Sequence, residues 1–102
     1  MEATALRIRK QHADKVPCVV RVDDEDYKFI VPRDLTLSEL LVHLRKRMRK
    51  RHDNAAAGAN KAMFLLTETG VSPTGVTTMG ELDATLQSDY VRLNGRMENV
   101  FG

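Results

Sequence analysis

The sequence predicts an α+β domain: a mixed four-stranded sheet crossed by one long helix, with one short helix ahead of it. Three observations carry this. Two runs alternate apolar and polar residues at the period of a half-buried strand, Val16 to Val22 and Tyr27 to Val31. Leu37, Leu40, Leu41, Leu44 and Met48 then form one stripe at helical spacing. Two further short apolar runs follow, separated by turn residues and a second helix-start signal.

Residues 3–12 are rich in helix formers but carry only Leu6 and Ile8 as large apolar side chains, so this helix is expected to dock on the body rather than build its core. In the first strand Val16, Cys18, Val20 and Val22 share one face, and Pro17, Val19 and Arg21 the other. Pro17 cannot donate a ladder hydrogen bond, which points to a strand start or a sheet edge. Asp23-Asp24-Glu25-Asp26 reads as a four-residue acidic turn, making the first two strands a hairpin. It lacks the Gly and distal Glu of a calcium loop, so no metal is expected there.

Pro32 ends the second strand, and Thr36-Leu37-Ser38-Glu39 has the form of a capping box opening the long helix. Cations crowd its end from Arg45 to Arg51, where they suit the negative end of the helix dipole. Asp53 to Asn60 reads as a loop and Met63 to Thr67 as a buried strand. Val71 to Gly75 carries turn chemistry, and Thr78-Met79-Gly80-Glu81 opens a short helix through Leu82 and Leu86. Tyr90 to Asn94 is the last strand. This order is that of the β-grasp, or ubiquitin-like, arrangement, in which the last strand pairs beside the first and the C-terminus projects from the sheet. The expected division is a helical extension over 1–13, the ubiquitin-like body over 14–96 and an exposed tail over 97–102.

Composition limits the function classes. The 102 residues suit one domain, with 42% hydrophobic and 29% charged residues and an aliphatic core forced by 5% aromatics and no Trp. No run approaches the ~20 apolar residues of a membrane span, and no apolar segment follows the N-terminus as in a signal peptide. The single Cys18 excludes an internal disulfide and reads as a reduced, buried thiol of a cytoplasmic protein. His12, His43 and His52 fall in separate elements without metal-ligand spacing, and no nucleophile–base set stands out, so neither an enzyme nor a cofactor site is expected. The six cations from Arg45 to Arg51 raise a nucleic-acid module as the rival from another class. Against it stand a net charge of only +2 and the lack of stacking aromatics near the run, so no nucleic-acid partner is expected.

The runs Arg7-Ile8-Arg9-Lys10, Asp14-Lys15-Val16-Pro17, Lys28-Phe29-Ile30-Val31-Pro32, Asp34-Leu35-Thr36 and Arg45-Lys46-Arg47 are followed in order by Pro73-Thr74, Thr78-Met79-Gly80 and Phe101-Gly102. Together they resemble the GABARAP and microtubule-associated protein light chain 3 family of autophagy ubiquitin-like modifiers. The resemblance implies a chain that is itself the substrate of a conjugation cascade. Activating and conjugating enzymes would carry Gly102, behind Phe101, as a thioester and pass it to the amine of phosphatidylethanolamine. A cysteine protease would process or reverse the linkage, and the lipidated form would sit on autophagosomal membranes. It further implies docking of cargo-receptor peptides bearing an aromatic residue, two spacers and an aliphatic one. One pocket would take Ile8, Pro17, Val19, Lys28, Ile30 and Tyr90. The other would take Phe29, Val31, Pro32, Leu35, Leu40 and His43, with Arg47 nearby.

Three features depart from that family. Only about a dozen residues precede the Asp14-Lys15-Val16-Pro17 run, so one N-terminal helix is missing; the hairpin turn is shorter; and His43 replaces an apolar pocket residue. The terminal Gly also resembles that of the sister modifier, autophagy-related protein twelve, which is attached to a protein lysine. That modifier lacks a segment of the Arg7-Ile8-Arg9-Lys10 type.

Overall fold

A computed structural model describes residues 2–52 and 61–99. Helix α1 (Glu2–Gln11) leads into strand β1 (Lys15–Val22), which pairs antiparallel with β2 (Glu25–Pro32) from Lys15↔Pro32 to Val22↔Glu25. Helix α2 (Leu37–His52), strand β3 (Lys61–Thr67), helix α3 (Met79–Leu86) and strand β4 (Val91–Asn99) complete the chain. The sheet order is β2-β1-β4-β3, with β4 parallel to β1 and antiparallel to β3. This is the mixed four-stranded α+β ubiquitin-like sheet that the element order predicts.

The main core is a largely aliphatic cluster, with Tyr27 and Phe29 among it, on one face of the sheet. Val16, Cys18, Val20 and Val22 of β1 meet Phe29 and Val31 of β2, Val91 and Leu93 of β4, and Met63 and Leu65 of β3. Leu37, Leu40 and Leu44 of α2 and Met79 and Leu82 of α3 cover them. On the other face Val19 and Tyr90 form a small separate cluster, as the two-residue alternation of β1 requires.

The hairpin is tighter than its four acidic residues suggest. Asp23 and Asp24 alone make the turn, with φ of 51° and 66°, so Glu25 and Asp26 belong to β2. A two-residue hairpin loop with both φ positive matches the right-handed twist of its strands, and Asp tolerates that conformation better than most residues. Pro17 lies in a central strand rather than at an edge. It is the third residue of β1 and precedes the first rung shared with β4, Cys18↔Val91.

Both capping boxes form. Thr36 Oγ1 accepts from the Glu39 amide at 3.3 Å while Glu39 Oε1 accepts from the Thr36 amide at 3.1 Å. Thr78 and Glu81 repeat the arrangement at α3. The two helix starts are also joined to each other: Thr36 and Thr78 form an isolated antiparallel bridge, with Leu37 N donating to Thr77 O at 2.9 Å and Met79 N to Leu35 O at 2.8 Å. This bridge seats α2 and α3 together over the core.

At the other end, β4 extends beyond Asn94 to Asn99, so Met97, Glu98 and Asn99 pair with Met63, Ala62 and Lys61. The tail expected from residue 97 therefore begins inside the sheet. Gly95 interrupts the apolar alternation that Leu93 and Met97 otherwise continue. A Cβ at Gly95 would meet Val22 Cγ2 at 2.5 Å, so the close approach of β1 accounts for the interruption.

Candidate functional site

Strand β2 ends the sheet, so one of its edges faces β1 and the other has no strand partner among the described residues. Such an edge presents unpaired backbone donors and acceptors that an added strand can use. Beside it lies a hollow of about 460 Å³. Phe29, Ile30, Val31, Pro32 and Leu35 form its apolar side, and His43, Lys46, Arg47 and Lys50 of α2 form the other. These four α2 residues fall at i, i+3, i+4 and i+7, one face of the helix. None of the lining side chains is acidic. The hollow pairs an apolar floor with a cationic wall.

Arg47 crosses this site. Its guanidinium carbon stands 4.4 Å from the centroid of the Phe29 ring, within cation–π range, and Nη1 donates to the Lys28 carbonyl oxygen at 2.6 Å. Residues 28–32 thus supply both the strand edge and the floor of the hollow.

Most of the residues expected in the second pocket come together here: Phe29, Val31, Pro32, Leu35, His43 and Arg47 all line it. Leu40 does not. It is completely buried beneath α2 in the main core, between Leu37 and Leu44, so it serves packing and not the groove. The physical reason is angular: Leu40 lies on the stripe that faces the sheet, and the helix face turned to β2 starts at His43. Lys46 and Lys50 line the hollow without having been singled out. The helical spacing from His43 would have found them, had the cationic run not been read only against the helix dipole and nucleic acid.

The first predicted pocket is distributed differently. Ile30, half exposed, lines the β2 hollow instead. Pro17 and Val19 are buried and pair with Ile30 and Lys28 across the hairpin, while Tyr90 is buried against Val19. Val19 and Lys28 border a smaller hollow of about 270 Å³ with Arg21, Asp26, Glu68 and Arg92. Ile8 is half-buried on α1, which packs against β1. Arg9 ties that helix down, its Nη1 and Nη2 donating to Asp83 at 3.0 and 2.8 Å and its Nε to the Asp89 carbonyl at 3.2 Å.

Phe101 and Gly102, expected to be the conjugation end, lie outside the described residues, as does the Ala55 to Asn60 loop. The Cys18 thiol is fully buried, and burial pushes its pKa up to about 12, which holds it in the unreactive neutral form. Among the described residues, no three His, Cys, Asp or Glu side chains gather as metal ligands, and no helix is long and apolar enough to cross a membrane.

Comparison with known proteins agrees with this fold. The family model "Autophagy protein Atg8 ubiquitin like" matches residues 2–102. Autophagy-related protein 8 of Dictyostelium discoideum is 30% identical over 108 residues, covering 96% of this chain and 82% of that protein. Autophagy-related protein 8e of Arabidopsis thaliana is 28% identical over 111 residues, covering 99% and 84%. The solved structure of Trypanosoma brucei ATG8 superposes with a TM-score of 0.72 at 24% identity, covering 99% of this chain and 88% of that one. Plasmodium falciparum Atg8, solved in complex with a Plasmodium falciparum Atg3 peptide, gives 0.71 at 19% identity, covering 93% and 85%. With its whole described sheet and both capped helices inside the matched span, the chain belongs to the Atg8 family of autophagy ubiquitin-like proteins.

Proposed function

We propose that this chain is coupled through Gly102 to the amine of phosphatidylethanolamine during autophagosome formation and that its β2 edge docks partner peptides. The observation that carries the docking half is the free edge of β2 with an apolar, cation-walled hollow directly beside it. An extended peptide adding to that edge would gain main-chain hydrogen bonds and place an aliphatic side chain in the hollow. The Plasmodium falciparum relative's complex with an Atg3 peptide supports peptide docking and a conjugating enzyme among the partners; cargo receptors bearing aromatic-x-x-aliphatic segments are the further partners of this reading.

The coupling half rests on family membership. In this reading the activating enzyme uses ATP to load the Gly102 carboxyl onto a cysteine as a thioester. The lipid amine then attacks the thioester carbonyl, an amide forms, and the thiol leaves. A side-chain-free residue suits passage of that carboxyl into a narrow active site. The chain is then the substrate carried by the cascade, cytoplasmic before coupling and on the autophagosomal membrane after it, with a cysteine protease reversing the linkage.

Mixed with the cognate activating enzyme and ATP, the chain should form a thiol-sensitive conjugate, and a Gly102→Ala chain should not. Equal charging of both refutes the coupling. For docking, Ile30→Ala removes a half-exposed apolar wall without touching the core. It should weaken an aromatic-x-x-aliphatic peptide by roughly tenfold, the value of one apolar side chain withdrawn from the interface. Superimposable titration curves would remove the β2 edge from the reading.

A further inference from the structure

Strand β4 outruns the four-stranded sheet that holds it. Its rungs with β1 run from Cys18↔Val91 to Arg21↔Asn94 and end there. Its rungs with β3 continue through Gly95, Arg96, Met97, Glu98 and Asn99. Beyond Asn94 the strand is therefore one half of a two-stranded ribbon, an arrangement that is marginal without further packing. On the β4 side of that ribbon, Met97 supplies packing: it is half-buried against the main core, opposite the buried Met63. We propose that the ribbon is a zipper on the coupling end, in which residues 97–99 peel from β3 before an enzyme loads Gly102, and Met97 is the clasp that sets how often they do. The proposal rests on the coupling reading above and adds its regulation.

The argument is one of reach and of access. Only Val100 and Phe101 stand between the last rung and Gly102. Three residues at full extension span about 10 Å, the width of a single helix. The activating enzyme must bring a cysteine sulfur to the Gly102 carboxyl through walls narrow enough to favour a residue without a side chain. Such a channel closes around its strand from every side. As far as Asn99, however, one side of β4 is taken by β3, at the roughly 4.8 Å spacing of paired strands. A closed ribbon thus offers the channel three residues and no more. Peeling 97–99 doubles the free length to about 20 Å and releases the backbone groups that β3 held. The peeling has a natural stop at Gly95. There β1 lies so close that a Cβ would meet Val22 Cγ2 at 2.5 Å, and from Asn94 inward β4 has a partner on each side. Met97 is accordingly a positioning residue: it acts on the carboxyl only through the path of the strand.

The test times thioester formation with the cognate activating enzyme and ATP, the chain held below saturation. Four chains are compared: wild type, Met97→Ala, a chain with Gly-Ser-Gly inserted between Asn99 and Val100, and the two changes combined. Amide hydrogen exchange of residues 97–99 is followed in parallel. Met97→Ala should speed that exchange and charge about threefold to tenfold faster, the population shift expected from withdrawing part of one apolar side chain. The insertion supplies reach without opening, so it should charge faster while exchange at 97–99 stays as in wild type. Combining the two should charge no faster than the insertion alone. Met97→Leu, which keeps the clasp, should match wild type in both measurements. The zipper is overturned if Met97→Ala leaves exchange unaltered, or opens the ribbon and charges no faster. It is equally overturned if the insertion leaves the rate unchanged, or if the combined chain shows the product of the two gains. If no chain forms a thioester, or Gly102→Ala forms one as fast as wild type, the coupling reading fails and the zipper with it.

Discussion

Arg9 donates from all three guanidinium nitrogens, reaching both oxygens of Asp83 and the carbonyls of Ser88 and Asp89. Arg33 adds a contact to the same carboxylate at 3.1 Å. Asp83 thus joins α1, the turn after β2, and α3 at one point, through a side chain only 11% accessible. The Arg9 hydrogen bonds chiefly, with help from Arg33, hold its carboxyl below the usual range against the opposing effect of burial. A carboxylate with a lowered folded pKa adds stability that is present above its unfolded pKa and lost as pH falls through the folded one. Acid unfolding below about pH 4 should therefore be steeper in wild type than in Asp83→Asn, which begins about 1–2 kcal/mol less stable at neutral pH. Urea midpoints followed from neutral pH down to acid provide the check. Parallel pH slopes would show that Asp83 is not the residue that couples α1 to the body.

At the scale of elements, what could be read from sequence is what local chemistry dictates. Thr36 with Glu39 and Thr78 with Glu81 carry their capping boxes in the order of four residues, and both form. Their pairing with each other was not legible, because the Thr36↔Thr78 bridge joins positions far apart in the chain and uses backbone atoms that every residue has. The hairpin turn was misjudged in length for a related reason. Four acidic residues look alike in sequence, whereas strand twist admits two of them at positive φ and draws Glu25 and Asp26 into the ladder. In α2 the apolar stripe was evident, but its angular limit was not. Leu40 belongs to the buried stripe, and the face turned to β2 is set by where the sheet's edge falls, a tertiary fact. Arg47 could be placed near the site from the resemblance alone. That its guanidinium reaches back to the Lys28 carbonyl depends on the separation of α2 from β2, which no local pattern encodes.

At the scale of the whole molecule, the parallel β1–β4 pair is the feature on which everything else depends. It brings the first and last strands side by side, and it places Cys18 opposite Val91 on one side and Phe29 on the other, beneath the helices. Cys18 has no exposed surface and lies inside the sheet, paired to a strand on either side. Reaching it requires the middle of the sheet to open, which is to say that the domain unfolds. The thiol is therefore a built-in reporter of global stability. Its reaction with a disulfide reagent at pH 8 should be at least about a thousandfold slower in the native chain than in urea, given a folding free energy of several kcal/mol. The rate should rise with denaturant in step with the unfolding transition seen by circular dichroism. Prompt stoichiometric labelling of the native protein would mean that the β1–β4 pair opens on its own, and that α2 and the β2 edge are not held on a single rigid sheet.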